Sequence, residues 1–217
     1  MDARGMRRED FSTLWQRLLR VARLDATAFL EVRSDQAATV PAVIVVAVAT
    51  VLSGVGGWLL FIERVQAPFA NLPPIVQQLS PIHAPSGTPF FIRSVLVGSI
   101  AQIVMWVVWV AITTTLLRSV WHRQADFAAL VRTMGLAFFP VALSLLMVIE
   151  ALATPIGLIS LAAAVLLSGV AVEASTEAEP AEVLFSNLLG FAVFAIVLGL
   201  LGRSGNYFAP GLFAWSI

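Results

Sequence analysis

The chain has 217 residues, of which 59% are apolar and 12% charged, against about 45–50% and about 25% in ordinary soluble domains. Thirteen basic and thirteen acidic side chains cancel to zero net charge. That argues against nucleic acid as a partner, because a phosphate binder carries a basic excess that releases counterions. Cysteine is absent, which excludes disulfide frameworks, thiolate metal centres and cysteine nucleophiles.

The first element in chain order is a basic amphipathic helix. On a helical wheel Phe11, Leu14, Trp15, Leu18, Val21 and Ala22 share one face, while Arg17, Arg20 and Arg23 lie opposite or flank it. Asp10 is the expected N-cap. This pattern fits a helix lying in a membrane interface, its arginines near anionic head groups, and equally a helix packed on the protein's own spans or on a partner. The segment is too long and too polar ahead of the first apolar run to read as a cleavable signal peptide.

Five charge-poor apolar runs follow, at 39–62, 94–117, 131–149, 155–172 and 184–201, each of a length that crosses a hydrocarbon core. The expectation is an all-α polytopic membrane protein with five transmembrane helices and an N-terminal interfacial helix. Its parts are an N-terminal segment (1–37), a membrane domain (38–202) and an apolar tail (203–217). Every basic residue is arginine, which suggests a GC-rich bacterial or archaeal source. Ten arginines on one side of the spans against three on the other predict a cytoplasmic N-terminus, an external C-terminus and residence in the bacterial cytoplasmic (inner) membrane.

Between the first two runs, six prolines between residues 68 and 89 predict an irregular external loop, with a short helical piece near 75–79. Runs three and four are joined only by residues 150–154, the signature of a tight antiparallel hairpin. Within run three, Pro140 should remove a backbone hydrogen bond and bend the helix. The acidic loop with Glu173, Glu177, Glu179 and Glu182 adds little to the topology rule.

Several residues inside the runs are assigned to helix packing. Ser94, Gly98 and Gln102 recur at four-residue intervals, as do Ser160, Ala164 and Ser168, and such small or polar faces favour close contact between membrane helices. His83 and His122 fall on opposite sides of the membrane and cannot share a metal site. No metal motif and no grouping of nucleophile, base and orienting residue appears, so neither cofactor nor catalytic activity is expected. In the tail, Tyr207, Phe208, Phe213 and Trp215 are expected to lie in the outer interface or to contact a protein partner.

Taken in order, these segments resemble the bacterial branch of the Yip family, five-span membrane proteins named for interaction with Ypt and Rab GTPases. The resemblance rests on Leu24-Asp25 followed by Phe29 and Glu31, then Asp35, Ala38 and Thr39, and on the stretch from Gly135 to Pro140 in run three. It implies five helices, a cytoplasmic N-terminus, no catalytic activity and action through protein partners. The chain lacks the acidic aromatic motif of eukaryotic members, which argues against GTPase binding. The expected function is therefore that of an accessory or organising subunit working through protein and lipid contacts. A transporter or channel for a neutral or lipid-like solute is the alternative, resting on Gln102, the run Thr113 to Thr115 and the bend at Pro140.

Overall fold

The structure is a computed structural model and describes residues 3–66, 71, 73–75 and 91–203. Among them every regular element is helical. Helix α1 (Ala3–Ala22) begins well before the expected cap at Asp10, since Ala, Met, Arg and Glu in its first turns are strong helix formers. It stops where Leu24 takes a left-handed φ of 60°. Asp25 then caps a second helix, α2 (Ala26–Ser34), accepting the Thr27 N–H. This separate helix was not foreseen from the sequence. Asp35 caps a short 3-10 turn, Gln36–Ala38, which leads into α3 (Thr39–Phe61).

Past α3 the helix loosens into a π turn, Ile62–Gln66, and the next span opens with another, Ile92–Val97, before α4 (Gly98–Ser119). The expected helical piece at 75–79 lies almost wholly outside the described residues. Helix α5 (Phe127–Ala137) starts on Asp126, whose carboxylate accepts the N–H groups of Ala128 and Ala129. The span does not continue as a bent α-helix. It changes to 3-10 turns over Phe139–Val148, with Pro140 as the second residue, where its ring and missing N–H bar an α-helical continuation. A further 3-10 turn, Glu150–Leu152, makes the short hairpin into α6 (Ala153–Ser175). Helix α7 (Pro180–Arg203) begins with a proline, which is tolerated at that position. Glu182 reaches back to accept the Glu179 N–H at 2.9 Å, one half of a capping box.

Five spans are long and apolar enough to cross a membrane: Gln36–Arg64, Ile92–Ser119, Phe127–Val148, Ala153–Ser175 and Pro180–Gly202. Large apolar side chains such as Ile44, Val48, Ile100, Val104, Ile159, Leu166, Ile196 and Leu200 stand exposed along them. In water they would form sticky patches; in lipid they are the solvated surface.

The chain divides into two compact units. The first comprises Met1–Val46, Val107–Phe139 and Ala164–Phe191; the second comprises Ala47–Trp106, Pro140–Ala163 and Ala192–Ile217. In the first, Val32, Ala38, Ala42, Val45 and Leu136 form a core on which Leu14, Leu18 and Phe139 pack. In the second, Leu60, Met147, Ala153 and Ile156 cluster.

Candidate functional site

The first unit holds most of the specific polar geometry. Helix α1 does not commit its whole apolar face to one surface. Val21 is fully buried and Leu14 and Leu18 pack on the core, while Trp15 and Leu19, one turn apart, stay 57% and 40% exposed. Arg17 and Arg20 turn to carboxylates of this chain. Arg17 pairs with Asp35 at 2.7 Å. Arg20 reaches Asp25 and Glu31, both at 2.8 Å, and donates to the Thr27 hydroxyl. The Thr27 hydroxyl and then Arg20 hold the Asp25 carboxyl down at about 2. Arg17 likewise lowers Asp35 below the ordinary carboxylate value. Arg23 remains exposed, and the side chain of Phe11 lies outside the described residues.

The α1–α2 pair is fastened to α5 by a buried cation. Arg132, 7% exposed, sends its Nη2 to the Arg33 carbonyl at 2.6 Å and its Nε to the Val32 carbonyl at 3.3 Å. Both carbonyls lie in the last turn of α2, where a positive charge is favoured by the helix dipole, and the Val32 carbonyl also accepts the Asp35 N–H at 3.3 Å. The sequence marks Arg132 as the one charge inside a run; that it grips a helix end needs the fold.

Between α4, α6 and α7, Asn187 bridges three elements. Its Oδ1 and its carbonyl accept from the Trp109 indole at 3.1 and 3.0 Å, and its Nδ2 donates to the Val165 carbonyl at 3.1 Å. Gly190 lets the Trp109 ring approach, since a Cβ there would stand 2.5 Å from Trp109 Cδ1. Trp109 also meets Phe138 and Phe191 with tilted rings. This dense packing is how Trp109 sits inside a span rather than in an interfacial belt. Ser175 donates to the Thr133 hydroxyl at 2.9 Å.

The assigned packing residues are buried: Gln102, Ser160 and Ser168 are 0% and Ala164 1% exposed, as are Gly98 and Pro140. Ser160 donates to the Ile156 carbonyl, but among the described residues the Ser168 hydroxyl and both amide atoms of Gln102 find no partner. Tyr207, Phe208, Phe213 and Trp215 lie outside the described residues.

A cavity of about 400 Å³ opens in the first unit, lined by Arg33, Arg118, Arg123, Gln124, Ala125, Asp126 and Ser175. Arg123 is held by Glu182, with Nε to Oε2 at 2.8 Å and Nη2 to Oε1 at 3.0 Å, and reaches Glu179 at 3.4 Å. The acidic loop, uninformative for topology, thus fixes a basic one. Among the described residues no three metal-ligating side chains converge.

This is an integral membrane protein of the five-span, all-helical class. Compared with protein-family models, curated proteins and solved structures, the chain matches none.

Proposed function

We propose that the chain is a non-enzymatic membrane protein that acts through protein and lipid contacts, as an accessory or organising subunit of a larger assembly. In this reading it sits in the bacterial inner membrane with its N-terminus in the cytoplasm and its C-terminus outside, in the manner of the bacterial branch of the Yip family. The supporting observation is the α1–α2 pair, which Arg132 fixes to a span while Trp15, Leu19 and Leu30 remain exposed. A rigid platform with an apolar, aromatic outer face suits contact better than turnover. Arg17, Arg20 and Arg132 are spent on holding these helices together rather than on a reaction centre.

The test is gentle extraction of tagged full-length protein from native membranes, followed by one affinity step, particle sizing and mass spectrometry. Recovery of a stoichiometric partner, lost when Trp15 and Leu19 are both replaced by Ser, is the expected result. A lone particle of one chain, unchanged by the double replacement, would overturn the reading.

A second reading, passage of a neutral or lipid-like solute, draws on Gln102, whose buried amide makes no hydrogen bond among the described residues. A carboxamide left unpaired at depth is costly and is of use to a transient polar guest. If liposomes carrying the protein move no candidate solute, this reading has no basis.

A further inference from the structure

Three spans end around the arginine-lined cavity. Arg118 lies in the last turn of α4, Asp126 caps α5, and Ser175 is the last residue of α6. The cavity therefore sits where the apolar spans give way to water, at the depth of lipid head groups.

Its charges differ in how far they are already satisfied. Arg123 is neutralised by Glu182 and Glu179. Asp126 turns its carboxylate to the first N–H groups of α5. Among the described residues Arg118 spends only its Nε, on the Ala125 carbonyl, which leaves its two terminal nitrogens uncommitted. Arg33 has its carbonyl gripped by Arg132, so its backbone is fixed, yet among the described residues its guanidinium makes no hydrogen bond or ion pair. The loop carrying Arg123 is itself pinned, by the Arg123 N–H on the Leu117 carbonyl at 2.8 Å and the Trp121 indole on the Ser186 hydroxyl at 3.2 Å. Two uncommitted guanidinium forks thus face a pre-formed hollow whose remaining basic wall is held in place. Both arginines are exposed, so an anion can reach them, and a planar fork matches the oxygens of a phosphate group.

We infer that this cavity binds a phosphate-bearing anion through Arg33 and Arg118, and that its depth makes the head group of an anionic phospholipid the source. Glu182 acts as a positioning residue, holding Arg123 so that the wall keeps its shape. The inference goes beyond the contact function proposed above, because it needs no protein partner and uses none of Trp15, Leu19 or Leu30.

The test uses purified full-length protein in detergent, with lipid retention read by native mass spectrometry against equal mixtures of phosphatidylglycerol and phosphatidylcholine. Wild type should retain the anionic lipid about twenty-five-fold better, at about a factor of five for each of the two arginines, and less so in high salt. Arg33→Gln is the cleanest variant, since among the described residues its side chain supports nothing else in the fold, and it should cut that preference about fivefold. Arg118→Gln should do the same where it folds, and Arg23→Gln, an exposed arginine outside the cavity, should leave the preference intact. Equal retention by wild type and Arg33→Gln, or equal loss in Arg23→Gln, would overturn the site. If millimolar inorganic phosphate raises the melting temperature of wild type but not of Arg33→Gln, while phosphatidylglycerol shows no preference, the lipid source is overturned and a soluble phosphate takes its place.

Discussion

The unit built from 1–46, 107–139 and 164–191 and the unit built from 47–106, 140–163 and 192–217 solve the same problem in different ways. In the first, side chains cross from helix to helix: Arg132 to the end of α2, Asn187 to Trp109 and Val165, Arg123 to Glu182. In the second, backbone approaches backbone. A Cβ on Gly56 would stand 2.3 Å from the Ser144 carbonyl oxygen and 2.9 Å from Leu145 Cα, and one on Gly54 would stand 3.0 Å from the Ser94 carbonyl oxygen. Short hydroxyls add cross-helix bonds there, Ser94 to the Gly54 carbonyl and Ser99 to the Thr50 carbonyl. In lipid the hydrophobic effect does not drive helices together, so association rests on close packing and internal hydrogen bonds. One unit leans on each device, and the difference predicts where each will break.

The largest effect is expected at Gly56. Gly56→Ala forces a methyl into backbone, which cannot rotate away, and should cost about 3 kcal/mol or more. Thermal unfolding in detergent checks it, and a melting temperature equal to wild type would mean that the helices are not in contact there.

Arg132→Met keeps the bulk but removes the cation, leaving two carbonyls of α2 without it. A loss of about 2 kcal/mol is expected, concentrated in α1 and α2. Hydrogen exchange should show residues 12–34 opening while the spans stay protected; uniform loosening across the spans would show that Arg132 holds something other than this pair.

Gln102 should respond with the opposite sign. Its amide is buried and, among the described residues, unpaired, so Gln102→Met relieves a desolvation cost and should stabilise by about 1 kcal/mol. A destabilised variant would reveal a partner for the amide.

The smallest effect is acid sensitivity of the N-terminal pair. Asp25 sits at about 2 and Asp35 below its ordinary value in the folded protein. Groups whose folded pKa is depressed contribute stability above the unfolded value of about 3.9 and lose it as pH falls through the folded value. The amides of Thr27 and Ala37, which donate to these two carboxylates, should therefore begin to shift below about pH 4. Flat amide shifts down to pH 2 would exclude these carboxylates as the acid-sensitive link.

How much of this was legible in the sequence depends on whether the deciding interaction is local. The five spans follow from apolar run length alone, and the hairpin at 150–154 from the shortness of the connection. Helix α2 was missed because nine residues carry too little periodicity to stand out, although Asp25 with Thr27 two residues on is a readable cap. The change to 3-10 turns after Ala137 could be located at Pro140 but not typed, since a proline's consequence depends on what surrounds the freed carbonyls. On α1 the wheel grouped Leu14, Trp15 and Leu18 together, yet Leu14 and Leu18 pack on the core while Trp15 faces out. A hydrophobic face says which residues avoid water, not which of two apolar surroundings receives each one.

By itself the sequence determined that this is an all-helical membrane protein with five spans and a basic N-terminal helix, because span length, charge-free runs and helical periodicity are properties of contiguous residues. Only the tertiary structure decided that Arg132 closes the end of a helix about a hundred residues earlier, that acidic Glu182 pins basic Arg123, and that Arg33 and Arg118 are left to face a shared cavity. Each of those turns on which charges find partners across the chain, and pairing at such separation is set by how helices pack.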